Sequence, residues 1–124
     1  MRKTRRNTTL VGPSDVARHL RISIKALRLY EQQGLVKPAR TARGWRRYSP
    51  MDLERLSRVL AFKAMGFGLA EIAKLLDAPA SDLSRALAAQ EKTLEQRRKA
   101  VDDALTALQN ARQQASTPKL RLAA

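Results

Sequence analysis

The sequence predicts a mainly α fold: a helix-turn-helix carrying a small β-hairpin, followed by one long C-terminal helix built to pair with another chain. Three observations lead there. Two short apolar stripes at helical spacing flank a break of about three residues at Arg21–Ser23. A Pro-bounded segment with turn residues follows and returns through the chain's single Trp, Trp45. From Asp82 to Gln114 no Gly or Pro interrupts the chain, and Leu87, Leu94, Val101 and Leu108 fall seven apart.

Residues 1–9, MRKTRRNTT, are polar, basic and aperiodic, which predicts a flexible arm. The domain proper should then span residues 10–78. Pro13 suits a first helical position, with Ser14 and Asp15 in the opening turn where acceptors and negative charge are favoured. Val16, Ala17 and Leu20 give that helix its apolar face. Ser23 is the expected N-cap of a second helix over Ile24–Gln33, and Gly34 its left-handed terminator. Leu35-Val36-Lys37-Pro38 leads into a hairpin with its tip at Thr41–Gly44 and its return strand at Trp45–Tyr48. Ser49-Pro50-Met51-Asp52 reads as an N-cap, a proline at N1 and an acid at N3. The helix it opens should bury Leu53, Leu56, Val59, Leu60 and Ala64 and stop near Gly66. A shorter helix over Leu69–Leu76 places Leu69, Ile72, Ala73 and Leu76 on one face and ends before Pro79. The long helix is expected over residues 80–115, with residues 116–124 a frayed, disordered tail.

That last helix has Leu83, Gln90, Arg97, Ala104 and Ala111 at the companion heptad positions, a mixed seam rather than an oily one. The stripe could fold back on its own domain. A helix of roughly 50 Å, at about 1.5 Å per residue, is however too long for so small a domain to cover. Pairing between two chains through Leu87, Leu94, Val101 and Leu108 is therefore the expectation.

The 124 residues include no Cys and one His, His19, which argues against disulfides, thiolate metal sites and a zinc site made by the protein alone. No cofactor is implied. Apolar runs do not exceed four residues, so neither a membrane span nor a secretory segment is expected, and a cytoplasmic protein is the default. The formal charge of +14 is unevenly spread. Residues 1–48 hold 13 Lys and Arg against Asp15 and Glu31, whereas residues 49–80 are neutral and residues 81–124 carry +3. Cations crowded into two-fifths of a chain repel one another unless a polyanion neutralises them, which points to nucleic acid. A generally basic, solvated surface is the alternative, but it would not leave the middle of the chain neutral.

On the second helix, Lys25, Arg28, Leu29 and Gln32 form one stripe, and Leu27 and Tyr30 begin another that can pack inward. Cationic and amide side chains on the outer face of such a helix suit the major groove of a duplex, although an ordinary exposed face would read the same way. The hairpin adds Arg40, Arg43, Arg46 and Arg47 around Gly44 and Trp45. Alternation along the return strand sends Trp45 and Arg47 to one side, Arg46 and Tyr48 to the other. Such a loop can straddle a sugar–phosphate backbone. Trp45 and Tyr48 could equally pack the hairpin onto the domain, the Tyr48 hydroxyl staying free to reach a phosphate.

From about Leu10 to Leu76 the chain resembles the mercury-resistance-regulator (MerR) family of bacterial transcription factors. The matching words, in order, are Val16-Ala17, Leu27-Arg28-Leu29-Tyr30-Glu31, Gly34-Leu35-Val36-Lys37-Pro38, Gly44-Trp45-Arg46-Arg47-Tyr48-Ser49, Asp52-Leu53, Leu56, and Met65-Gly66-Phe67 with Glu71-Ile72. The resemblance implies a winged helix-turn-helix homodimer joined by an antiparallel coiled coil. It also implies a pseudo-palindromic operator on double-stranded DNA, often in a promoter with an overlong spacer, where bending and untwisting would serve RNA polymerase. By position it assigns DNA contact to Ser23, Lys25, Arg28, Leu29 and Tyr30, and to Arg43 and Arg46 of the wing, with Tyr48 a packing and phosphate residue. Two departures stand out: Leu29 stands where the family usually has an aromatic, often Tyr, and Trp45 stands where Tyr is usual. Leu29 cannot donate to a phosphate, so its contact would be apolar, such as a thymine methyl.

Family members that sense metals or redox state use cysteines, which this chain lacks, and drug sensors carry a further C-terminal domain. Three possibilities stay open: action without a ligand, a ligand at the dimer interface, or a chain that is the DNA-binding piece of something longer. An excisionase-like or architectural DNA bender is the alternative function, although such proteins usually lack the long helix. An enzyme is not expected. Glu31, Glu71 and Asp102-Asp103 have no catalytic partner at a recognisable spacing, and the pair beside Arg98 and Lys99 reads as solvated ion pairing.

Overall fold

The computed structural model describes residues 10–116; the basic arm at 1–9 and the tail beyond Ser116 lie outside the described residues. The chain divides into two compact units, 1–83 and 84–124. In the first, α1 (Pro13–Leu20) and α2 (Ile24–Gln32) are followed by β1 (Ala39–Arg40) and β2 (Arg46–Arg47), then α3 (Pro50–Ala64) and α4 (Leu69–Leu76). The helix α5 (Ala80–Ala115) starts there and makes up the described part of the second unit.

Local chemistry sets the helix ends. Ser23 Oγ accepts the Ala26 N–H at 2.9 Å and caps α2. Three helices stop in the same way, with a left-handed residue whose N–H and that of its successor return to the last turn. After α2 this residue is Gly34 (φ +77°), with Gly34 N–H on the Glu31 carbonyl and Leu35 N–H on the Tyr30 carbonyl, both at 2.9 Å. After α3 it is Gly66, and there Phe67 packs edge-to-face on Phe62 with ring centroids 6.0 Å apart. After α1 it is Arg21 (φ 59°, ψ 44°), an L-residue held where glycine is at ease. Ser49 and Asp52 cap α3 reciprocally, Oγ accepting the Asp52 N–H at 3.1 Å and Oδ2 the Ser49 N–H at 2.9 Å. At α4 only half of that motif is possible: Glu71 accepts the Gly68 N–H, and Gly68 has no side chain to return.

The core draws on α1 to α4 and on the segments flanking the hairpin, not on its strands: Val16, Leu27, Leu35, Val36, Tyr48, Leu56, Val59 and Ile72 are fully enclosed. Burying an aliphatic side chain of this kind contributes about 1.5–3 kcal/mol. Ala64, expected in the α3 face, is exposed, and Phe62, one helical turn beyond Val59, takes that role. The hairpin is antiparallel, with Ala39 opposite Arg47 and Arg40 opposite Arg46. Tyr48 then bridges to Val11 through two backbone hydrogen bonds of 2.9 and 2.7 Å, which sews the wing to the segment entering α1.

Helix α5 has 36 residues, about 54 Å at 1.5 Å per residue. None of its residues is buried, and Leu87, Leu94, Val101, Leu105 and Leu108 all lie exposed along it. Lys99 pairs with Asp103 at 2.9 Å in solvent.

Candidate nucleic-acid interface

The outer stripe of α2 is open: Lys25, Arg28, Leu29 and Gln32 are exposed, while Leu27 and Tyr30 turn into the core. Among the described residues neither Lys25 nor Arg28 has an ion-pair partner, so both charges are available to a ligand. Arg28 shares a shallow cleft with the wing, lined by Pro13, Arg28, Gly44, Trp45, Arg46 and Arg47. At the wing tip the Arg43 guanidinium stands 5.5 Å from the centroid of the Trp45 ring, which is 57 % exposed. Arg47 lies against α1, close enough that a Cβ on Gly12 would come within 3.2 Å of its Nη1. These residues form one cationic, partly aromatic face.

Other expected contact residues are buried or make hydrogen bonds within the protein. Tyr30 is 3 % exposed, with the Lys63 ammonium 5.7 Å from its ring centroid. Its place one turn along from Leu27 turns its ring into the core, off the outer stripe of Lys25, Arg28 and Leu29. Tyr48 is wholly enclosed and its hydroxyl is both buried and without a hydrogen-bond partner among the described residues, so it cannot reach a phosphate in this fold. Desolvation, with Glu31 adding to it, pushes the Tyr48 phenol above its ordinary value of 10.0. Arg46 donates through Nε to Glu31 Oε1, and Arg40 donates to Glu31 Oε2 at 3.2 Å and to the Gly44 carbonyl at 2.9 Å. Both guanidiniums are thus engaged within the protein. Ser23 Oγ is occupied as a helix cap, although Ser23 itself is exposed.

Two arginines of α3 escaped the sequence reading. Arg55 donates from Nε to the Leu35 carbonyl at 2.6 Å and from both terminal nitrogens to Asp77 at 3.2 and 3.4 Å. It joins the turn after α2 to the residue that ends α4. Arg58 donates to the Leu76 carbonyl at 3.1 Å, filling an acceptor left open at the α4 terminus. The hydrogen bond from Arg55, then its charge, hold the Asp77 carboxyl below its usual range. Only the flanking of an apolar stripe by two arginines hinted at this; partners 18 to 22 residues distant are a tertiary matter.

Among the described residues no three His, Asp or Glu side chains gather as a metal site, and no helix is long and apolar enough to cross a membrane. A short helix pair with an open cationic second helix, followed by a hairpin that lines a cleft with it, defines a winged helix-turn-helix module. The chain belongs to the MerR family: residues 13–79 match the model described as MerR HTH family regulatory protein, and residues 53–115 that described as MerR, DNA binding.

Its relatives are transcriptional regulators. The HTH-type transcriptional activator mta of Bacillus subtilis is 41% identical over 83 residues, 66% of this chain and 32% of that protein. The activator TipA of Streptomyces coelicolor is 40% identical over 77 residues, 61% of this chain and 30% of that protein. The chain thus spans about a third of the length of these curated relatives. The solved N-terminal part of the Bacillus subtilis multidrug transporter activator superposes with a TM-score of 0.74 at 36% identity, covering 81% of this chain and 95% of that one. HiNmlR, a MerR family regulator lacking the sensor domain and solved bound to promoter DNA, shares the fold with a TM-score of 0.64 at 23% identity, covering 87% and 94%. Membership in this family of regulators disfavours the excisionase-like alternative.

Proposed function

We propose that the chain is a site-specific transcription regulator that works in the cytoplasm as a homodimer on a two-fold related operator in double-stranded DNA. Helix α2 of each copy enters a major groove with Lys25, Arg28, Leu29 and Gln32 outward, and the wing lies on the adjoining backbone through Arg43, Trp45 and Arg47. The observation that carries this reading is the cleft that sets the unpaired Arg28 beside the wing on one cationic face. Dimerisation is supported by the exposed heptad of α5, Leu87, Leu94, Val101 and Leu108, an apolar seam that water disfavours and a second copy would cover. Transcription would be altered where the bound dimer bends or untwists promoter DNA before RNA polymerase.

The test is selection of bound duplexes from a random library with purified protein. A consensus with two-fold symmetry and half-sites about 34–36 Å apart is expected. Affinity for it should fall by roughly 10³–10⁵ between 50 and 200 mM salt if six to ten phosphates are neutralised. Equal binding to the selected and a scrambled duplex at physiological salt ends the proposal.

A further inference from the structure

Glu31 is the only acid between Asp15 and Asp52, inside the most cationic part of the chain. A carboxylate there opposes phosphate binding, so it needs another explanation. It stands at the end of α2, partly buried, and takes hydrogen bonds from both strands of the wing, Arg40 on β1 and Arg46 on β2. Those two arginines are direct cross-strand partners in the hairpin. Like charges directly opposite one another destabilise a strand pair, and a carboxylate between them reverses the sign. Arg40 extends the link to the wing tip through the carbonyl of Gly44, itself at φ +84°. One side chain therefore ties the recognition helix, both strands and the tip together.

We infer that Glu31 is a positioning residue that withdraws Arg40 and Arg46 from phosphate contact to fix the wing against α2, leaving wing phosphate contact to Arg43 and Arg47. The inference rests on the DNA-binding reading above. It separates two roles among four wing arginines that composition makes look alike: two hold the geometry and two face the ligand. Arg43 and Arg47 have no ion-pair partner among the described residues.

The experiment measures binding of variants of this chain to the selected duplex and to its scrambled counterpart across a salt series. In Glu31→Gln the two guanidiniums are released, so the slope of log K against log salt should steepen by up to about 1.8 per subunit on the scrambled duplex. At the same time the preference for the selected duplex should fall at least tenfold, because the wing is no longer held. The double variant Arg40→Gln/Arg46→Gln should lose preference with no change of slope. Arg43→Gln or Arg47→Gln should each make the slope shallower by about 0.9 per subunit. A Glu31→Gln protein that keeps slope and preference, or an Arg40→Gln/Arg46→Gln protein with a shallower slope, overturns the inference. Should Glu31→Gln melt at the assay temperature, the slope of the double variant decides alone. If the wild-type protein does not distinguish the two duplexes, the DNA-binding reading fails instead.

Discussion

Replacing Tyr48 with Phe should stabilise the protein, against the usual direction of core substitutions. The ring is fully enclosed and its hydroxyl has no hydrogen-bond partner among the described residues. Folding therefore strips a polar group of water and returns nothing, at a cost of about 1–3 kcal/mol. Deleting one oxygen leaves a void worth only about 0.3 kcal/mol. A net gain of roughly 0.7–2.7 kcal/mol follows, which for a domain of this size raises Tm by about 4–8 °C per kcal/mol. The phenol also carries a pH signature. Its folded-state value lies above 10.0, so the folded protein holds the proton more tightly than the unfolded chain. Stability is unaffected below about pH 10 and falls as pH rises from there toward the folded value. The gap between Tyr48→Phe and wild type should accordingly widen above pH 10, when urea denaturation is followed by circular dichroism at pH 7, 9 and 10.5. Affinity for the selected duplex should be unchanged. A Tyr48→Phe protein that is less stable, or that binds DNA more weakly, would show that the hydroxyl has a partner and refute the reasoning.

Three further outcomes are expected. Arg21→Gly should raise stability by about 1 kcal/mol, because Arg21 sits at φ 59° where an L-residue is strained; an unchanged denaturation midpoint would remove strain as the explanation. Asp77→Asn should destabilise the protein near neutral pH. Since Arg55 holds the Asp77 carboxyl below its ordinary value of 3.8, the stability from that pair is present above this value and lost as pH falls through the lower, folded one. Denaturant melts of both proteins at pH 7 and pH 3 should therefore converge at the acid end, and a constant gap would contradict the linkage. Leu94→Asp should yield monomers in sedimentation velocity and abolish binding to the symmetric duplex; a Leu94→Asp dimer would show that the seam lies on another face of α5.

Much of this fold is legible residue by residue because its boundaries are local chemistry. Ser23, Gly34, the Ser49-Pro50-Asp52 cap and Gly66 each act within four or five residues, a distance over which sequence order and spatial order agree. The period of the apolar residues likewise placed Leu27 and Tyr30 inward and Lys25, Arg28 and Leu29 outward. The candidate site was less legible. Arg40, Arg43, Arg46 and Arg47 are interchangeable in composition, and alternation along a two-residue strand cannot say which will meet a carboxylate on another element.

The order of elements, most of the helix ends and the concentration of positive charge follow from the sequence alone, because hydrogen-bond capping, hydrophobic period and net charge are short-range or additive quantities; the left-handed end of α1 at Arg21 does not. Only the tertiary structure decided that Glu31 engages Arg40 and Arg46, that Arg55 spans from Leu35 to Asp77, and that the Tyr48 hydroxyl is enclosed without a partner among the described residues. Each depends on where distant side chains come to rest once the core has closed, and packing fixes those positions for all of them at once.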